Sequence, residues 1–343
     1  MELNGIKKQI KNKIMKAIQI TKTGGADVLT YQEVNRPTPK AGQVLVKIHA
    51  APVNFIDTII REGNMPPGMM PELPFIPGVE GSGVIADANG TDLKEGSKVA
   101  FLGVIGSSAY AEYALVDADK LVVLEDTTDL LEAAVIPVNY FTAYHMLKNV
   151  AKVEAGKTAL IYAASGGVGT ALVQIAKLLN LNIVALERRD EKVTNALNMG
   201  ANFAFNTTDE NWKAQVKEAI GENSIDYVFN PVVGNSIKDD LELLAPLGHI
   251  VIFGFLAGLG NFNLMEESVK YFGKAPSISF SEIYATFTNK YEVVDQGLKQ
   301  LYEWLAEGKI SPVYETMPLS EAKAAHEKIQ AGLVRGKLLL TNE

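Results

Sequence analysis

The stretch Ala159-Leu-Ile-Tyr-Ala-Ala-Ser-Gly-Gly-Val-Gly-Thr-Ala-Leu-Val-Gln-Ile-Ala-Lys177 decides the fold. Residues 159–163 form a short apolar run without Gly, Pro or charge, which suits a buried parallel strand. Beyond the glycines, Val168, Leu172, Ile175, Ala176 and Leu179 recur at helical spacing. The order is therefore strand, glycine turn, helix, the context in which a glycine motif reads as a dinucleotide site. Gly166 permits a tight turn, Gly167 lets the backbone approach a pyrophosphate, and Gly169 allows close helix–strand packing. The helix would aim free N–H groups and a positive dipole end at the phosphates. Ser165, Gly166, Gly167, Val168 and Gly169 are the candidate phosphate contacts; the alternative is an ordinary strand-to-helix turn. Ala164 stands where the first glycine usually does. Glu187 closes the next apolar run, near the distance expected of a ribose-binding acid.

Working outward, 343 residues predict about two domains with a large core. A net charge of −8 argues against nucleic acid as the main partner. No apolar run reaches the roughly 18 residues of a membrane span. The cysteine count is zero, which removes disulfides, thiolate catalysis and cysteine-ligated zinc together and fits a cytoplasmic protein. Residues 1–14 are polar and basic and read as a disordered extension, with Met15 opening the first strand.

From Met15 to about Val138 the pattern is short strands punctuated by Gly and Pro, as in a partly open β-barrel. Val44–Ala50 alternates with period two. Residues 131–136 are helical and break at Pro137. Strands and helices then alternate through 249–253, the pattern of a doubly wound parallel sheet. After about Pro276, two helices and a closing strand, Lys337–Thr341, form a tail too small for a domain.

Several ordered pieces resemble one family. They are Val53-Asn-Phe-Ile-Asp57, Pro74-Phe-Ile-Pro-Gly-Val-Glu-Gly-Ser-Gly83, Tyr110-Ala-Glu-Tyr113, Ala134-Val-Ile-Pro137, Asp226-Tyr-Val-Phe-Asn-Pro-Val-Val-Gly234 and Gly336-Lys337. From Met15 on, the chain resembles the zinc-independent quinone oxidoreductases and enoyl reductases of the medium-chain dehydrogenase/reductase superfamily. That resemblance implies an α/β protein with a GroES-like barrel, residues 15–138 and 277–343, and a Rossmann domain, residues 139–276. Zinc-dependent members carry Gly-His-Glu where this chain has Gly78-Val79-Glu80. Without zinc as Lewis acid, the expected reaction is hydride transfer from NADPH to a quinone or an α,β-unsaturated carbonyl.

The resemblance places Asn54 and Thr142 beside the nicotinamide as catalytic and cofactor contacts, and brings the backbone of Phe253, Gly254 and Phe255 near it. Asp57 is read as a helix cap. At the adenosine end Glu187 favours NADH, whereas Arg188, Arg189 and Lys192 favour the 2′-phosphate of NADPH. NADPH is expected, with NADH possible. Two tyrosines of related enzymes become Ile59 and Met65, and Thr207 replaces a third. A nucleotide-binding protein with little turnover is the alternative of another class. The four histidines, His49, His145, His249 and His326, are read as structural. The resemblance also implies a homodimer paired through an edge strand at about His249–Phe253 or just after it.

Overall fold

The structure, a computed structural model, describes residues 13–66 and 68–342. The expected extension therefore lies almost wholly outside the described residues; of it, Ile14 already belongs to the first strand. The chain divides into two compact units. One holds the residues up to Val138 together with Leu298–Ala306 and those from Ser311 on; the other holds Asn139–Gly297 and Glu307–Ile310.

The second unit is built on a six-stranded sheet. Its strands are β8 (Thr158–Tyr162), β9 (Asn182–Glu187), β10 (Phe203–Asn206), β11 (Ile225–Asn230), β12 (Leu244–Ile252) and β13 (Ser277–Phe280). All pairings are parallel, in the order β10-β9-β8-β11-β12-β13. The direction of winding reverses between β8 and β11. A crevice at the carboxyl ends of the strands opens at such a reversal. Both faces of the central strands are covered, which is why Ala159–Ile161 and Ile183–Leu186 are continuous apolar runs. Leu160, Val184, Val228 and Ile250 join Trp212, Val216, Ile237 and Leu241 from the helices in one core.

One boundary and the edge strand differ from the sequence reading. β13 is hydrogen-bonded to β12, so this unit runs past Ser277 and the chain returns to the first unit at Leu298. β13 has four residues alternating polar and apolar, too few for periodicity to register. Consequently the edge strand, expected at about His249–Phe253 or just after it, is β13 at Ser277–Phe280, and β12 is an interior strand.

The first unit carries a seven-stranded sheet. It comprises β3 (Gln43–Val53), β4 (Glu80–Asp87), β5 (Lys98–Leu102), β6 (Tyr113–Asp117), β7 (Leu121–Val123), β14 (Tyr314–Pro318) and β15 (Lys337–Thr341). The order is β14-β15-β3-β4-β5-β7, with β6 also on β3. A separate hairpin-like pair, β1 (Ile14–Gln19) and β2 (Thr30–Asn35), joins through bridges to Ala111 and Phe75. β3 is the hub: its amino-terminal half pairs with β4 and β6, its carboxyl-terminal half with β15.

Pro137 does not end the helix that begins at Leu130. A wide π turn over Ile136–Tyr140 continues it into the helix Phe141–His145. Proline has no N–H for the helix ladder, and the wider turn accommodates the missing bond. The next amide, Val138 N–H, is turned to the Glu80 carboxylate at 2.8 Å.

The β3–β4 pair is packed backbone against backbone. A Cβ on Gly83 would lie 2.1 Å from the Lys47 carbonyl oxygen. Gly83→Ala is therefore expected to destabilise the protein by about 1–3 kcal/mol. Gly273→Ala, where nothing lies within 4 Å, should stay within about 0.5 kcal/mol. Urea unfolding of both variants checks the difference.

Candidate functional site

The glycine turn leaves β8 through Ala163, whose φ of 49° is left-handed, and enters the helix Gly167–Leu178 through an extended Gly166. Gly166 N–H closes the turn on the Ala163 carbonyl at 2.9 Å. A Cβ on Gly169 would fall 2.1 Å from that same carbonyl oxygen, so only glycine lets helix and strand approach here. The first-turn amides of the helix have no acceptor within it. Ser165 is 1% exposed, and its hydroxyl has no hydrogen-bond partner among the described residues. A buried, unsatisfied hydroxyl beside a helix N-terminus fits an anionic phosphate group, which would accept from it. Val168 and Gly167 are half-buried in the same turn.

Glu187 ends β9, buried, with Oε1 accepting the Ser165 N–H at 2.5 Å. It thus braces the glycine turn. Arg188 and Arg189 follow, both exposed; Lys192 is half-buried in the first turn of the helix Asp190–Met199. Thr207 donates its N–H and its hydroxyl to the Glu187 carbonyl, at 2.7 and 3.1 Å. These residues therefore lie at the carboxyl ends of β9 and β10. Across the reversal, Phe253 and Gly254 follow β12, and a Cβ on Gly254 would lie 3.0 Å from the Pro231 carbonyl oxygen. Phe255 is exposed and stacks on Phe280 at 6.3 Å. Thr142 is buried in the helix Phe141–His145 of this same unit.

Asn54 belongs to the first unit, where β3 meets the helix Phe55–Glu62. Its own N–H donates to the Asp57 carboxylate at 2.8 Å, so Asp57 caps the helix start. The Asn54 side chain turns elsewhere. Its Nδ2 donates to Glu80 Oε1 at 2.8 Å, and its Oδ1 accepts from Lys337 Nζ. Lys337, 3% exposed, forms an ion pair at 2.8 Å with fully buried Glu80. Burial pushes the Glu80 carboxyl up, and Lys337 pulls it back. Sequence reasoning missed Lys337 as a partner of Asn54. The available signal was a lysine opening an otherwise apolar strand.

A second buried chain of bonds starts at Asp57. Tyr110 donates its hydroxyl to Asp57 at 3.1 Å and lies 3.3 Å from His326 Nε2; His326 Nδ1 lies 3.2 Å from the Arg61 guanidinium. Burial pushes Asp57 up to about 6, and burial with the Arg61 charge pushes His326 down to about 3. Of the histidines, His326 thus sits in a polar network that ends on Arg61, Glu62 and Gln330.

Lys337→Met leaves the buried Glu80 carboxylate without its cation and should cost about 3–5 kcal/mol; adding Glu80→Leu should recover much of that. Chemical unfolding of the single and double variants measures it. The pH signs are opposite for the two titrating groups. The unfolded chain protonates His326 below about pH 6.5 and the folded one only near 3, so this group removes stability as pH falls through that window. Folded Asp57 holds its proton to about pH 6, so its share of stability falls as pH rises from about 4 to 6. His326→Gln should flatten the acid loss between pH 6 and 4 by up to about 1.4 kcal/mol per pH unit. Urea midpoints against pH read the slope.

Residues 40–126 match the family model of the alcohol dehydrogenase GroES-like domain, and residues 167–291 that of the zinc-binding dehydrogenases. A Sus scrofa protein, "Quinone oxidoreductase", is 34% identical over 96% of this chain and 98% of its own. A Burkholderia sp protein, "2-haloacrylate reductase", is 29% identical over 95% and 98%. Among solved structures, Escherichia coli quinone oxidoreductase complexed with NADPH superposes with a TM-score of 0.87, at 26% identity, over 95% of this chain and 99% of that one. A mycobacterial protein complexed with NADPH gives 0.85, at 27% identity, over the same shares. With its GroES-like and Rossmann folds in this order, the chain belongs to the quinone oxidoreductases of the medium-chain dehydrogenase/reductase superfamily and is an NAD(P)H-dependent oxidoreductase.

Proposed function

We propose that the protein is a zinc-independent, NADPH-dependent reductase whose acceptor is a quinone or an α,β-unsaturated carbonyl compound. The observation that carries this is the turn after β8, where a buried unpartnered Ser165 hydroxyl and a helix N-terminus meet behind Gly169. The names of the relatives, a quinone reductase and a haloacrylate reductase, support the acceptor class. When bound, NADPH supplies the hydride.

The chain's own residues bind and orient. Ser165, Gly166, Gly167, Val168 and Gly169 take the pyrophosphate. Arg188, Arg189 and Lys192 take the 2′-phosphate. Glu187, the residue that favours NADH, directs Oε1 to Ser165 N–H, which removes part of its objection to a phosphate nearby. Thr142 and the backbone of Phe253, Gly254 and Phe255 serve the nicotinamide end. Asn54 presents an amide held from both sides by Glu80 and Lys337. One of its two N–H donors goes to Glu80, leaving the other for an acceptor carbonyl. An amide polarises a carbonyl by hydrogen bonding and does not release a proton, so protonation of the product falls to solvent or to another group.

Zinc independence rests on the chain itself. It has no cysteine, Val79 replaces the histidine of Gly-His-Glu, and the neighbouring Glu80 carboxylate is engaged by the Lys337 ammonium. We also propose a homodimer paired through β13. This edge strand exposes Phe280 (65%) beside exposed Phe255 and Leu256, an aggregation-prone edge if left open.

Fluorescence titration with NADPH and NADH, followed by quinone and enone assays, tests the reading. Tight binding without turnover on any acceptor would favour a nucleotide-binding protein instead. Lys192→Ala should weaken NADPH by about tenfold, the scale of one lost charge-assisted contact, and leave NADH unchanged. Equal losses for both cofactors would remove Lys192 from the 2′-phosphate site.

A further inference from the structure

At the reversal of the parallel sheet a carboxylate is buried with no cation paired to it among the described residues. Asp240, on the helix Ser236–Leu243, is fully buried. Its Oδ1 accepts from the Tyr162 hydroxyl of β8 at 2.7 Å, and its Oδ2 from Asn230 Nδ2 of β11 at 2.6 Å. β8 and β11 are the two strands between which the winding reverses.

Asn230 is saturated. Its Nδ2 also donates to Ser236 Oγ at 2.8 Å, and its Oδ1 accepts the N–H groups of Val232 and Val233 at 2.7 and 2.9 Å. An amide offers two donors and two acceptor sites, and all four are taken. Val233 is held at φ 59°, a left-handed conformation that a β-branched residue avoids unless its surroundings impose it. The turn is bonded in its own right to the loop after β12: Leu256 N–H to Pro231 O, Ala257 N–H to Val232 O and Gly234 N–H to Gly258 O, at 2.8–2.9 Å. A Cβ on Gly234 would lie 3.1 Å from that of Ala257.

We propose that Asp240 is a positioning residue for the cofactor: by holding the Asn230 amide it sets the backbone of residues 231–234 and, through them, of residues 255–258. These loops leave the carboxyl ends of β11 and β12, where a dinucleotide's second half lies. The proposal rests on the functional reading above. Burial pushes the Asp240 carboxyl up to about 7, with Asp239 adding to the rise and Tyr162 and Asn230 opposing it.

Hydrogen exchange on the protein without cofactor and NADPH titration test it together. In Asp240→Ala, Asn230 loses one of its two acceptors and keeps only Ser236 Oγ, and the Val232 and Val233 amides should exchange about tenfold faster or more, with NADPH affinity falling about tenfold. Asp240→Asn keeps a carbonyl facing Asn230, its own amide turning to the Tyr162 oxygen, and should restore both readouts to near wild type. If Asp240→Ala does not fold, Asp240→Ser is read the same way. Unchanged exchange in a folded variant overturns the clamp. Faster exchange with unchanged NADPH affinity overturns its role in binding, and an Asp240→Asn variant as impaired as Asp240→Ala overturns the hydrogen-bond basis. Failure of the wild type to bind NADPH would instead sink the functional reading, while the exchange data would still decide the clamp.

Discussion

Burying a carboxylate costs several kcal/mol unless hydrogen bonds or an opposite charge compensate it. This chain does so at Asp57, Glu80, Glu187 and Asp240, all within 4% of full burial. Each is compensated by a group at a strand end or a turn. Glu80 takes the Val138 amide, freed where Pro137 widens a helix, as well as Lys337 and Asn54. Asp57 takes the amide of Asn54, Glu187 that of Ser165, and Asp240 the side chain that holds Val232 and Val233. The acids therefore tie the loops at the carboxyl ends of β3, β8 and β11 to the sheets behind them. A loop fixed in this way presents its backbone without paying for order again when a ligand arrives.

The parallel core was legible because its physics is local. A strand buried on both faces must be apolar throughout, and Ala159–Ile161 and Ile183–Leu186 declare themselves. β13 does not, because an edge strand keeps one face in solvent and Ser277-Ile-Ser-Phe280 is too short to show a period. Pro137 misleads for a different reason. The rule that proline stops a helix assumes an α-helical ladder, and a π turn has already given up that bond.

The polar networks were illegible for want of locality. Asn54 and Lys337 are 283 residues apart, and Arg61 and His326 are 265 apart. No spacing rule reaches so far. Composition carries a trace of them nonetheless: Lys337 opens an apolar strand, and Asp240 lies on the face of its helix that buries Ile237 and Leu241. A charged residue on a face that must be buried asks for a partner, even where the sequence cannot say which one.

That question bears on Asn54, the residue the resemblance placed nearest the chemistry. An asparagine on a mobile turn can rotate, and its amide offers donor or acceptor to whatever approaches. Here Lys337 holds the oxygen and Glu80 one N–H, so the orientation is set by the protein itself. Reversing the amide would bring Nδ2 against an ammonium and Oδ1 against a carboxylate, losing both bonds and adding two repulsions. The lysine–glutamate pair thus makes the asparagine a donor of fixed direction. Preorganised donors stabilise developing negative charge on an oxygen because they need not reorient as it forms. The same pair keeps a positive charge beside the Asn54 amide. The ammonium lies behind the amide, withdrawing electron density through Oδ1 and sharpening the remaining N–H as a donor.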